Sequence, residues 1–124
     1  MKKLIYNPPT EKYGFILFPA KFGDRWDEIS SENHLFIYYS DFEYIIPSIK
    51  KAYPLISPDT NEIDEEFDVC GTNWIHNKAW DEIIKDLRSK EYECPELKKF
   101  VNDFCLWVIE GQGMSDEIVI QGTL

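Results

Sequence analysis

The chain has 124 residues, 23 of them acidic and 13 basic, for a formal net charge of −10. That is the length of one domain able to bury a core without staples, and so acidic a chain is a poor ligand for a phosphate backbone, which is gripped by clustered Lys and Arg. With 44% of residues apolar or aromatic and 15% aromatic, it reads as a folded domain and not as a disordered segment.

Along the chain, Leu4-Ile5-Tyr6 follows two lysines but stops at Asn7-Pro8-Pro9. It is too short for a signal-peptide apolar region and suits an edge strand. No stretch approaches the ~18 apolar residues of a membrane span. These features lead to the expectation of a soluble, cytoplasmic protein. Tyr13–Phe18 reads as a strand ended by Pro19, and 20–26 as a loop around Gly23-Asp24. His34–Tyr39 is a second strand, apolar on both faces and suited to a central place. Ser40-Asp41-Phe42-Glu43 matches a capping box, followed by Ile45, Ile46 and Ile49 at helical spacing. The helix expected over about 41–52 either kinks at Pro47 or begins there.

Residues 57–66 read as a solvated loop. Six acids and no base lie between Asp59 and Asp68, and like charges so close repel. Phe67, Val69 and Cys70 suggest a short strand stopped by Gly71. Asn77 is placed to cap a helix whose Trp80, Ile83, Ile84 and Leu87 form one apolar stripe, with Asp81 and Lys85 paired on its outer side. Pro95 opens another helix, striped by Leu97, Phe100, Val101, Phe104 and Val108, and stopped by Gly111 and Gly113. Glu117–Gln121 is a closing strand. The order β, β, α, β, α, α, β predicts an α+β single domain, 1–124: a mainly antiparallel sheet with about three helices packed on one face. A flavodoxin-like arrangement is the alternative, but the early strands lack crossover helices.

The sequence has no GxGxxG, no GxxxxGK[ST] and no HExxH, and its two histidines are 42 residues apart. The three cysteines, Cys70, Cys94 and Cys105, include no CxxC pair, so they read as reduced thiols and not as a disulfide framework or zinc site. Cys70 with His76 is the closest candidate for a nucleophile and its base, but neighbouring acids suppress a thiolate. The acid run lacks calcium-loop spacing. No cofactor and no metal are expected.

The charge is uneven, with 14 acids and 6 bases after residue 62. An acidic field steers a basic protein toward it. The candidate partner-binding residues are therefore Asp59, Glu62, Asp64, Glu65, Glu66 and Asp68, with Trp74 and His76 beside them as anchors on a turn. The run Phe67–Trp74 (FDVCGTNW), the Trp80 helix and the strand Glu117–Gln121 resemble small acidic immunity proteins of bacterial toxin systems. The resemblance covers roughly the C-terminal half. It implies a cytoplasmic, non-enzymatic inhibitor that occludes the active site of one basic partner, such as a toxin or nuclease domain. Two other readings remain open. One is a small enzyme or ligand-binding domain with a pocket between sheet and helices, using His34 or His76. The other is a subunit that self-associates through exposed aromatics.

Overall fold

The computed structural model describes the chain except for Phe22, Trp26, Asp27, Glu28, Ser30, Asp59 and Leu124. Its strands are β1 (Lys2–Lys3), β2 (Gly14–Ala20), β3 (Leu35–Tyr38), β4 (Leu55–Ile56), β5 (Ile63–Asp64), β6 (Thr72–His76) and β7 (Glu117–Gly122). Its helices are α1 (Tyr39–Phe42), α2 (Ile46–Lys51), α3 (Asn77–Ser89) and α4 (Pro95–Gln112). Five strands form one sheet in the order β1-β3-β2-β7-β6, and β4 pairs with β5 as a separate ribbon. Every neighbouring pair in the large sheet is antiparallel except β1–β3. The fold is α+β with a mixed sheet, and the parallel pair exists because residues 1–3 lie alongside β3.

Alternation along the strands divides the apolar residues between the two faces. Phe15, Leu17, Leu35, Ile37, Ile75, Ile118 and Ile120 join one core with the helix stripes. Phe15 meets Phe42 at 4.5 Å between ring centroids, and Trp80 meets Phe104 at 6.1 Å. Trp80 is fully buried and its indole N–H donates to the Ile118 carbonyl at 3.2 Å. Each such large apolar side chain contributes roughly 1.5–3 kcal/mol by leaving water. The opposite face carries a smaller cluster of Phe18, Ala20 and Val119, joined by Ile16, Ile29 and Trp74.

Pro19 does not end β2; it lies inside it, opposite Ile118. The Thr123 amide donates to the Gly14 carbonyl and the Tyr39 amide to the Tyr13 carbonyl. Even residues of β2 therefore bond toward β7 and odd ones toward β3. The ladder with β3 stops at Leu17–Leu35, so the donor that Pro19 lacks would have faced a position past its end.

The expected helix over 41–52 is two short helices, with Pro47 in the first turn of α2. The capping box does not form, because the residue before α1 is Tyr38 and caps with no side chain. The Ser40 amide instead donates to Glu11 Oε1 at 2.8 Å, and hydrogen bonds from Ser40 hold the Glu11 carboxyl below its ordinary range. Asp41 is fully buried. Its Oδ2 accepts the Tyr6 amide at 2.8 Å, and its Oδ1 accepts both the Asn7 amide and Asn7 Nδ2 at 3.1 Å. One carboxylate thus straps the N-terminal segment to the core.

Both long helices form where their stripes predict. Asp81 meets Gln112 Nε2 at 2.8 Å and not Lys85. Gly111 is not a helix stop but a buried residue inside α4, where a Cβ would come within 3.0 Å of Ile118 Cδ1; Gly113 is the cap. Between α2 and α3, Asp86 accepts Ser48 Oγ at 2.6 Å and Lys51 Nζ at 3.0 Å, with Lys90 Nζ at 3.5 Å. The Ser48 bond first, then Lys51 and Lys90, hold its carboxyl below the usual value. That stabilisation is complete above pH ~4 and is lost as pH falls through the lowered value. Asp86→Asn should therefore be less stable than the parent near neutrality, with the difference shrinking toward about pH 2. Urea unfolding across that range checks it.

Candidate functional site

The acid-rich segment is not an irregular loop. It forms the β4–β5 ribbon, in which Leu55 pairs with Asp64 and Ile56 with Ile63. The chain reverses between them through Asn61 in the left-handed region (φ 59°), a conformation Asn tolerates better than most residues. The Ser57 amide donates to the Glu62 carbonyl at 2.8 Å, and the Asn61 amide to the Ser57 carbonyl at 2.9 Å. Leu55 anchors the ribbon in the core, while Ile56 and Ile63 stand 63% and 61% exposed. Two opposed isoleucines in water are unusual for a ribbon this short, since nothing in its own fold rewards them.

Carboxylates flank this pair along the chain. Glu62, Glu65, Glu66 and Asp68 are exposed and Asp64 is half-buried, whereas Asp59 lies outside the described residues. None of these five forms an ion pair among the described residues. Burial first, then the charges of Asp64 and Asp68, push the Tyr53 hydroxyl pKa well above its ordinary value. Glu65, Glu66, Tyr53 and Lys50 line a groove of about 300 Å³ over Phe67. Among the described residues, no group of three or more His, Cys, Asp or Glu is arranged to hold a metal ion.

The acid segment is tied to the sheet by a residue that the sequence reading overlooked. Asn73 is buried; its Oδ1 accepts the Asp68 amide at 2.8 Å and its Nδ2 donates to the Asp68 and Ile120 carbonyls at 2.7 and 3.2 Å. The available signal was an asparagine in the middle of the β-rich run Thr72–His76, where it needs a reason. The Asp68 side chain accepts the Cys70 amide at 3.0 Å, so residues 68–71 are a turn and not the expected strand.

Trp74 and His76 consequently sit on β6 and not on a turn. Trp74 is half-buried opposite Val119, on the face away from the helices. His76, not Asn77, caps α3, because its Nδ1 accepts the Ala79 amide at 3.1 Å. That bond requires the proton on Nε2, which leaves a donor directed outward. His76 also lines a groove of about 520 Å³ with Lys51, Ala52, Leu55, Lys78 and Glu82. Leu55 thus links the carboxylate ribbon to His76, whereas Trp74 packs on the other side of the sheet. Cys70 is exposed and lies before the opposite end of β6 from His76. An extended strand separates them by more than ~13 Å, beyond the reach of a proton transfer. His34 stacks on Phe18 at 4.8 Å between ring centroids.

No protein-family model, curated protein or solved structure matches this chain. An exposed apolar pair on a carboxylate-rich segment can lodge in a partner's pocket while the acids meet its bases. Cys70 and His76, at opposite ends of β6, do not form a nucleophile pair.

Proposed function

We propose that this protein is a non-enzymatic, cytoplasmic inhibitor of the immunity type, which binds a basic protein and covers its active site. One observation carries the reading: Ile56 and Ile63, paired across the ribbon and largely exposed, lie in a segment whose carboxylates pair with no cation of the chain itself among the described residues. The carboxylates would stand where substrate phosphates stand in a basic cleft, such as that of a nuclease domain of a bacterial toxin. They raise the association rate, and the isoleucines slow dissociation. A ligand-binding reading would use the groove beside His76. That groove gives no role to the exposed isoleucines, so the inhibitor reading is preferred.

The test is affinity capture from native cytosol at low salt, with a wash at about 0.5 M salt, where exposed charges are screened beyond a few ångströms. The parent chain should retain one basic protein that the wash weakens. A bait with Ile56→Ser and Ile63→Ser should lose it. Capture of the same protein unchanged by both substitutions would remove the ribbon from the mechanism.

A further inference from the structure

The sheet ends in two unlike edges. One is β1, only two residues long and made of two exposed lysines, which is how natural sheets repel a stray strand. The other is β6, five residues, Thr72-Asn73-Trp74-Ile75-His76, with no Lys, Pro or Gly. It spans about 17 Å at strand rise, and β7 is the one strand of the sheet paired with it among the described residues.

Its hydrogen-bond phase is fixed by the bonds that flank it. The Gly122 amide donates to the Gly71 carbonyl and the Asn77 amide to the Asp116 carbonyl, both at 3.0 Å. In an antiparallel ladder the sides alternate. Asn73 and Ile75 therefore turn their main chain toward β7, and Thr72, Trp74 and His76 turn theirs outward, with Thr72 and His76 at the two ends. Neither of those two amides has a hydrogen-bond partner among the described residues. Both residues are exposed.

We propose that the β6 edge is a docking strand, which takes an extended basic segment of a partner protein as a sixth strand of the sheet. This rests on the reading of the protein as an acidic binder and specifies how it binds. Main-chain bonds to Thr72 and His76 supply the backbone affinity of strand addition, and alternate side chains supply the choice of partner. The side chain facing the helices would enter the groove floored by Ala52 and Leu55 beside His76. Basic side chains at the other end would meet Asp68 and the carboxylates of residues 62–66, which fixes the sign of the partner's charge.

The probe is a synthetic peptide of about ten residues alternating lysine and valine, long enough to cover the strand, with a glutamate–valine peptide as the charge control. Amide hydrogen exchange in the full chain reads the result. At about 1 mM peptide, exchange at Thr72 and His76 should slow at least tenfold with the lysine peptide and not with the glutamate one. Thr72→Pro removes an outward amide without touching the β7 ladder and should weaken the peptide about tenfold, the loss expected of one or two main-chain bonds. Salt-sensitive binding with unchanged exchange at both amides would overturn the docking strand and leave the acidic surface intact. Equal slowing by both peptides would overturn the basic partner. No slowing by either peptide would overturn the edge alone, because the inhibitor reading is decided separately by the capture experiment.

Discussion

Asp41→Ala is expected to lower folding stability by about 2–4 kcal/mol, the largest loss among the polar substitutions considered. The carboxylate is fully buried and accepts three N–H donors, two of them main-chain amides of Tyr6 and Asn7. Hydrogen bonds to a charged group contribute roughly 1.5–3 kcal/mol each, but the freed amides can swing into water, so the losses do not add. The upper bound is what the whole strap contributes. It includes the Tyr6 ring against Tyr44 and Phe100 at 5.7 and 5.9 Å between centroids. It also includes the Tyr6 hydroxyl at 3.2 Å from Cys94 Sγ, a bond that with burial pushes that hydroxyl pKa up to about 12. Asp41→Asn keeps one acceptor and should lose about half as much. Urea unfolding gives the free energy, and amide exchange gives the cause. Exchange at Lys2, Leu4, Tyr6 and Asn7 should accelerate well before global unfolding. If these amides stay protected in Asp41→Ala, the carboxylate is not the latch.

The second large effect lies in binding. Asp64→Asn, Glu65→Gln and Glu66→Gln together remove three negative charges from the ribbon and its exit while keeping side-chain shape. Association with the captured basic partner should slow by roughly tenfold to a hundredfold at low ionic strength, within the range of electrostatic steering. The dependence of that rate on salt should flatten, and dissociation should change little, because the isoleucine anchors remain. Stopped-flow association at a series of salt concentrations reads both. An unchanged association rate would show that the carboxylates do not steer the encounter.

The elements legible in the sequence were those whose own side chains form a complete signal. Trp80, Ile83, Ile84 and Leu87 define α3, the Leu97–Val108 stripe defines α4, and Glu117–Gln121 reads as a strand with no help from the rest of the chain. The hidden elements depend on partners far along the chain. The ribbon has two residues per strand, too few for a period. The capping box at Ser40 is locally complete, yet a glutamate 29 residues earlier takes its amide. Gly71 looked like a strand stop. It sits instead before β6, where a Cβ would collide with the Asp68 carboxylate that closes the turn. In the candidate site, the carboxylates were visible as a charge run. The exposed isoleucine pair was not, because Ile56 and Ile63 become neighbours only after the chain reverses at Asn61. Pro58 and Asn61 are the local turn signals for that reversal.

The place of β7 has a consequence for how the chain acquires its structure. This strand follows the other described elements along the chain but lies inside the sheet, between β2 and β6. Until residues 117–122 have left the ribosome, β6 has no neighbour in the sheet and Ile118 and Ile120 are missing from the core. Until then the nascent chain must carry exposed apolar strands. Closing β2 against β7 joins residues about a hundred positions apart, so folding is governed by long-range loop closure and is slow for its size. A net charge of −10 repels chains still awaiting β7 from one another.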